Sequence, residues 1–149
     1  MLKLPQTAEY ALRAVYHIAE HESGGPVRVN DIAEALGVPR NYLSKTLHQL
    51  ARGGVLQSTR GPRGGFQLAS SPDRLTLAEV VGPFLPAEGR ACVLGRARCS
   101  DTAPCAAHGR WKLVAERMRS FFGDTTVGDL ISGPGEPARP PLRVPDRRG

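Results

Sequence analysis

The chain has 149 residues, of which 40% are hydrophobic and only 5% aromatic, enough for one domain or two small units around a mainly aliphatic core. Its net charge of +6 favours a polyanionic partner, either nucleic acid or an anionic membrane surface. The three cysteines argue against a secreted disulfide framework, and no apolar run approaches the roughly 18 residues that span a bilayer.

The N-terminal stretch predicts an amphipathic helix over residues 8–21, with Thr7 as its N-cap. Its apolar stripe consists of Ala11, Leu12, Ala14, Val15, Ile18 and Ala19. Charged residues interrupt this stretch, so it does not resemble a signal peptide. We therefore expect a cytoplasmic protein that is not inserted in a membrane.

Two further helices are predicted close together. The first occupies NDIAEAL, with Asn30 as cap and Gly37 as stop, and the second runs from Pro39 to Gly53-Gly54. Leu43, Leu47 and Leu50 lie on one face of the second helix. Two short helices separated by a glycine-containing turn predict a helix-turn-helix.

The pattern then changes to that of strands. VLQST and GFQLA are β-prone runs on either side of RGPRGG, residues 60–65, which predicts a wing. Glycine suits the tip because positive φ must be available there and the backbone must come close to DNA. In LTLAEVV, Thr76 and Glu79 predict a capping box, with Leu75 and Val80 as a hydrophobic staple.

All three cysteines lie in CVLGRARCSDTAPCAAH, residues 92–108, with the spacing C-x6-C-x5-C-x2-H. Zinc accepts Cys₃His ligation but usually uses tight C-x₂₋₄-C pairs. A thiol–disulfide sensor needs fewer such groups, and buried, unligated cysteines do not suit so polar a segment. An iron–sulfur cluster suits the wide spacing, because the loop must wrap a bulky inorganic core. The spacing favours the cluster and leaves zinc as the next alternative.

Residues 105–122 predict a longer helix, about 25 Å in length. Pro104 near its start places Cys105 in the first turn, where the helix dipole favours a thiolate. His108 follows three residues later on the same face, so both side chains are expected to point at one centre. The apolar positions of this helix are Trp111, Val114 or Ala115, Met118, and Phe121 or Phe122.

The C-terminal part of the chain is predicted to end its ordered structure soon after the long helix. TTVGDLI, residues 125–131, predicts one short helical turn. The remainder, 133–149, is rich in proline, glycine and arginine and is expected to be a disordered tail.

Basic residues concentrate where the helix-turn-helix and wing are predicted. Between Glu34 and Asp73 the chain has no acidic residue, which either marks a solvated face or a surface for DNA. The first turns of the helix from Pro39 suit the major groove, and Arg60, held by Pro62, suits a narrow minor groove. The residues expected to contact DNA are Arg40, Asn41, Tyr42, Ser44, Lys45, Arg60 and Arg63.

The segment RGPRGGFQLA resembles the wing signature of the Rrf-type, or BadM-type, bacterial winged-helix regulators, which include the IscR- and NsrR-type iron–sulfur regulators. TAEYALRAVYHIA, DIAEALGVPRNYLSKTLHQLARGGVL, CAAHGRW and TTVGDLI are similar to the same family, so the resemblance covers residues 1 to about 132. It implies a homodimer built through the long helix, which binds double-stranded DNA at a palindromic operator.

The resemblance also implies a ligand set. Cys92, Cys99 and Cys105 match the three ligand cysteines of the family, and His108 falls where the 2Fe–2S members have a histidine ligand. Glu9 falls where 4Fe–4S members use an acidic residue of the partner subunit, so 2Fe–2S is favoured and 4Fe–4S is the alternative. The first cysteine gap is one residue longer than is usual in the family.

Family contacts with DNA carry over to Arg60 and Tyr42. Ser44 stands where IscR-type members have a glutamate in the recognition helix, so their operator preference does not carry over.

The sequence thus predicts a mainly α fold with a small β-wing, a winged helix-turn-helix joined to a long dimerisation helix. Its parts are a DNA-binding domain at 1–82, a cluster-binding loop at 83–109, a dimerisation helix and C-terminal turn at 105–132, and the tail. The predicted function is a cluster-dependent transcriptional regulator, expected to be a repressor. A cluster-free thiol- or zinc-dependent regulator and a small iron–sulfur electron carrier are the alternatives. No catalytic motif indicates an enzyme.

Overall fold

The computed structural model describes residues 4–86 and 92–133 of the chain. Its α-helices in chain order are α1 (Gln6–His21), α2 (Val29–Leu36), α3 (Arg40–Arg52), α4 (Leu77–Val81), α5 (His108–Asp124) and α6 (Val127–Ser132). Between α3 and α4 lie strands β1 (Leu56–Thr59) and β2 (Gly65–Leu68). The predicted fold, mainly helical with a small β-wing, is confirmed, and nearly all of the predicted tail lies outside the described residues.

The first helix, α1, is the centre of the core, because α2, α3, α4, α6 and β2 all pack against it. Ala11, Ala14, Val15 and Ile18 of the predicted stripe are fully buried. The prediction that Thr7 caps this helix is wrong. The helix already begins at Gln6, so Thr7 lies inside its first turn.

The helix-turn-helix consists of α2 and α3. Gly37 ends α2 in the left-handed conformation, with φ of 64°, as expected for a residue without a Cβ. The prediction that Asn30 caps α2 is wrong, because the helix begins at Val29 and Arg28 occupies the cap position without a side-chain cap bond. Leu43, Leu47 and Leu50 of α3 are completely buried, as predicted.

Strands β1 and β2 form the antiparallel wing, with Leu56 opposite Leu68 and Thr59 opposite Gly65. Val27 extends this sheet, because its backbone N–H and C=O both bond to Phe66, at 2.9 and 2.8 Å. At the tip, Gly61 has a φ of 104°, which confirms the expected left-handed glycine. Gly65 does not have positive φ and is instead required by the close approach of the Val27 backbone.

The capping box at the start of α4 is confirmed. The Glu79 backbone N–H donates to Thr76 Oγ1 at 3.3 Å, and the Thr76 N–H donates to Glu79 Oε2 at 2.8 Å. The segment that follows α5 returns to the same region, since Val127 N–H donates to the Leu75 carbonyl at 2.8 Å. Val127 is 1% exposed, so α6 completes the core around α1.

Helix α5 differs from its prediction at its start. It begins at His108 rather than at residue 105, because Cys105 and His108 close a turn in which His108 N–H donates to the Cys105 carbonyl at 3.0 Å. Cys105 therefore precedes the helix, and the prediction that it lies in the first turn is wrong. No residue of α5 is buried, which leaves much of its apolar surface uncovered within the described chain.

No described helix has both the length and the apolar character needed to cross a membrane.

Candidate nucleic-acid interface and cysteine loop

The exposed face of α3 carries positive charge and hydrogen-bonding groups but no acidic side chain. A shallow depression along it is lined by Arg40, Asn41, Ser44, Lys45, His48, Gln49 and Arg52. Four of the residues predicted to contact DNA therefore lie together on α3. This placement follows from the helix itself, because Leu43, Leu47 and Leu50 turn the opposite face into the core.

A second depression lies between α3 and the wing, and here the two parts of the predicted interface meet. Arg40 and Ser44 of α3 line it together with Arg60 of the wing. The guanidinium of Arg28 donates to the carbonyl of Pro62 at 2.9 Å and so ties the start of α2 to the wing tip. The surface between α3 and the wing, including Arg28, is called the α3–wing face below.

Two other predicted DNA contacts lie elsewhere. Tyr42 is 39% exposed, and its ring packs edge-on against the ring of Tyr10 of α1, with centroids 5.5 Å apart. Arg63 is exposed in the wing loop and does not line either depression. The contact of all seven predicted residues with DNA stays a prediction.

The described part of the cysteine loop, residues 92–107, folds back on itself through short turns. Gly95, with φ of 78°, donates its N–H to the Cys92 carbonyl at 3.0 Å. Further along, Ser100 Oγ accepts the backbone N–H groups of Thr102 and Ala103, each at 3.2 Å. These turns bring residues that are far apart in the spacing motif into contact.

The histidine of the motif contacts the middle cysteine. His108 Nδ1 lies 3.3 Å from Cys99 Sγ, and its other ring nitrogen, Nε2, lies 2.8 Å from Asp101 Oδ1. The same carboxylate oxygen is 3.3 Å from Lys112 Nζ. Cys99, His108, Asp101 and Lys112 therefore form one continuous polar chain at the start of α5.

The other two cysteines form a second pair. Cys92 is buried, at 8% exposure, and its sulfur accepts a hydrogen bond from the side chain of Cys105. The pKa of the Cys92 thiol is lowered, chiefly by the backbone N–H of Arg96 and then by that of Leu94, while burial opposes the shift. Cys105 and the charge of Arg96 add to the lowering. Thiolate is the form that binds metals, so this environment suits ligation.

His108 contacts Cys99 while Cys105 contacts Cys92, so the expectation that Cys105 and His108 point at one centre stays a prediction. All three cysteines are free thiols. Within residues 4–86 and 92–133, no group of three or more His, Cys, Asp or Glu side chains has the arrangement of a single metal-ion site. The donor set itself, three thiols and one imidazole, fits iron or zinc by its chemistry.

Asp101 and Arg28 are residues of these sites that were not predicted from the sequence. The sequence gives only a weak indication that Asp101 takes part in the site, since it is a lone carboxylate between two cysteines of the motif. For Arg28 it gives none, because this residue reaches the Pro62 carbonyl across 34 residues of sequence.

Comparison with known proteins places this arrangement in a family. The family model named Rrf2, described as "Iron-dependent Transcriptional regulator", matches residues 4–133. A protein of Aquifex aeolicus named as an HTH-type transcriptional regulator is 37% identical, over 85% of this chain and 89% of that one. The HTH-type transcriptional regulator IscR of Xenorhabdus nematophila is 30% identical, over 87% of this chain and 79% of that one.

A solved structure has the same fold. CymR, the global cysteine regulator of B. subtilis, superposes with a TM-score of 0.74 at 25% identity and covers 89% of this chain and 98% of its own. The two sequence relatives are named as transcriptional regulators and CymR as a cysteine regulator, and none is named as an enzyme. The chain has a helix-turn-helix with a basic wing, and it matches such regulators along most of its length. The chain belongs to the Rrf2 family of winged-helix transcriptional regulators.

Proposed function

We propose that this regulator is a cytoplasmic repressor whose affinity for its operator depends on an iron–sulfur cluster in the cysteine loop. The observation that carries the proposal is the presence of two sites on one shared core. The α3–wing face offers cationic and hydrogen-bonding groups to DNA, and the cysteine loop offers three thiols and an imidazole to iron.

Cys92, Cys99, Cys105 and His108 are the proposed ligands. The loop holds them as two contacting pairs, Cys99 with His108 and Cys92 with Cys105. This division favours a 2Fe–2S cluster, because each of its two irons takes two protein ligands, whereas a single zinc takes all four. For a 4Fe–4S cluster, Glu9 of the partner subunit is the alternative fourth ligand. When bound, the cluster would supply a centre sensitive to redox state, nitric oxide or iron–sulfur supply.

The exposed apolar side of α5 supports a homodimer. Leu113 is 64% exposed, Phe121 55% and Val114 41%, and together with Arg117 and Met118 they line one surface. Contiguous apolar patches of this kind usually mark protein interfaces. A two-fold dimer presents two α3 helices to a palindromic operator, whose half-sites lie about one DNA turn apart.

The cysteine loop adjoins the same surface, which suggests how the cluster acts. Val93 and Leu94 of the loop and Trp111 and Val114 of α5 line one apolar depression. A change in the loop on cluster loss would therefore alter the dimer contact. The spacing of the two α3 helices would change with it, and so would the affinity for the operator.

Gel shifts with the chain's own promoter, in anaerobic holo and apo forms, test the proposal. We expect the two affinities to differ by roughly 5- to 150-fold, the usual range of coupling between two sites. The variant Cys99→Ser is expected to lose the visible absorbance of the cluster and to bind DNA as the apo form does. Equal affinities of holo and apo protein would contradict the sensing role.

A thiol- or zinc-dependent regulator is the second candidate. It is favoured by the lowered pKa of the Cys92 thiol and by the likeness to the CymR structure, whose name is that of a cysteine regulator. Metal analysis of protein purified without oxygen separates the candidates. Zinc without iron or sulfide would decide for a zinc site, and the absence of all three for a thiol-dependent regulator.

A further inference from the structure

Asp101 lies between the second and third cysteines and holds His108 in a defined orientation. Its Oδ1 lies 2.8 Å from His108 Nε2. A carboxylate accepts hydrogen bonds and does not donate them, so Nε2 carries the proton. In a neutral imidazole the other nitrogen, Nδ1, then has a lone pair available, and this is the atom that lies 3.3 Å from Cys99 Sγ.

We propose that Asp101 is a positioning residue that makes Nδ1 the metal-binding nitrogen of His108 and pairs it with Cys99 at the same iron. This inference rests on the cluster function proposed above. Histidine ligands of metals generally donate their other ring N–H to a carboxylate, carbonyl or water, which fixes the ring and raises its basicity. The His108 side chain is 12% exposed and that of Asp101 59%, so the acceptor lies on the solvent side and the ring is turned inward.

A purely structural role for Asp101 makes a different prediction. Asp101 also forms an ion pair with Lys112, at 3.3 Å, and both side chains are well exposed. Surface pairs of this kind contribute little to stability. If the ion pair were the whole role of Asp101, removal of Lys112 would affect the cluster as much as removal of Asp101.

The experiment uses full-length protein that is anaerobically reconstituted with iron and sulfide and labelled with ¹⁵N-histidine. Pulsed EPR of the reduced protein measures the coupling of the cluster to the histidine nitrogen, and a chelator assay measures iron retention. Asp101→Ala is expected to change the nitrogen coupling and to lower iron retention by about 10-fold or more. Asp101→Glu is expected to restore both towards wild type, and the control Lys112→Ala to leave both unchanged.

Other outcomes overturn the inference in distinguishable ways. If Asp101→Ala keeps the wild-type nitrogen coupling and iron retention, the positioning role is wrong while the cluster function stands. The same conclusion follows if Asp101→Ala and Lys112→Ala lose equal amounts of iron. An unchanged coupling in His108→Ala would show that another residue is the ligand. Wild-type protein that takes up no iron would overturn the proposed function itself.

Discussion

Arg28 connects the helix-turn-helix to the wing through a single hydrogen bond. Its guanidinium donates to the Pro62 carbonyl, and it lines the depression that Arg40, Ser44 and Arg60 also line. A guanidinium has five N–H donors, so a side chain in this place can hold the wing and face a phosphate at the same time. Arg28 therefore belongs to the α3–wing face.

Replacement of Arg28 by Ala is expected to weaken DNA binding, because it releases the wing tip and removes a cation from the α3–wing face. In a titration at several salt concentrations, the slope of log affinity against log salt should become shallower by about one. Arg119→Ala is the matched control, since Arg119 is an exposed arginine of α5. Equal affinity and equal slope in wild type and Arg28→Ala would contradict this role.

Among individual side chains, the sequence predicted which thiols and which imidazole of the cysteine loop act together, but not which of them are in contact. The spacing motif placed His108 with Cys105, because both were expected in one helical turn. The structure instead brings His108 to Cys99, since the helix begins three residues later and the loop folds back through its own turns. Which side chains meet depends on turns that no periodicity describes.

Two positions in the wing require glycine, each for a different physical reason. Gly61 at the tip has a φ of 104°, a conformation that costs other residues free energy. A Cβ added at Gly65 would lie 2.6 Å from the Val27 carbonyl carbon and would also meet the Val27 carbonyl oxygen. The sheet contact between Val27 and Phe66 therefore leaves room only for glycine at position 65.

Gly65→Ala is expected to destabilise the protein by about 1–3 kcal/mol, because the backbone of Val27 must move to make room. Urea unfolding measures the change, and gel shifts should show weaker DNA binding as the wing moves. Gly82→Ala is the control, since Gly82 is in the helical conformation and nothing lies within 4 Å of an added Cβ. A Gly65→Ala protein as stable as Gly82→Ala would contradict this explanation.

Most elements follow from the sequence alone. The stripe of α1, the leucines of α3, the wing and the capping box of α4 were all predicted, because each depends on local periodicity or on a local hydrogen bond. The starts of α1, α2 and α5 were placed wrongly. In α1 and α2 the predicted cap residues, Thr7 and Asn30, lie inside the helix. In the sequence, a polar residue in the first turn of a helix looks the same as a polar residue at the cap.

For the molecule as a whole, the apolar side of α5 is the surface on which the proposed oligomeric state depends. Leu113, Val114 and Phe121 are each more than 40% exposed, although α4 packs against the same helix. Apolar surface of this extent is stabilised when a second surface removes it from water. The proposed two-fold dimer would cover this surface and would also match a palindromic operator.

Leu113→Glu is expected to shift the protein from dimer to monomer, because it places a charge at the centre of the apolar surface. Light scattering after gel filtration should give twice the 16.0 kDa chain mass for wild type and a lower mass for the variant. The new carboxylate would lie one helical turn from Arg117, a spacing that favours the helix. Arg119→Glu, which adds a glutamate at another exposed position of α5, should remain dimeric. A monomeric wild type would contradict the dimer.

The order of the elements, the basic character of the α3–wing face and the clustering of three thiols with one imidazole could all be read from the sequence alone. These depend on residue type and on spacing within one element. The three-dimensional structure was needed to show that Arg28 reaches the wing and that α6 returns to the core beside α1. It was also needed to show that Cys99 contacts His108 and that Cys92 contacts Cys105. Contacts between residues distant in sequence depend on how turns and packing direct the chain, which local patterns do not encode.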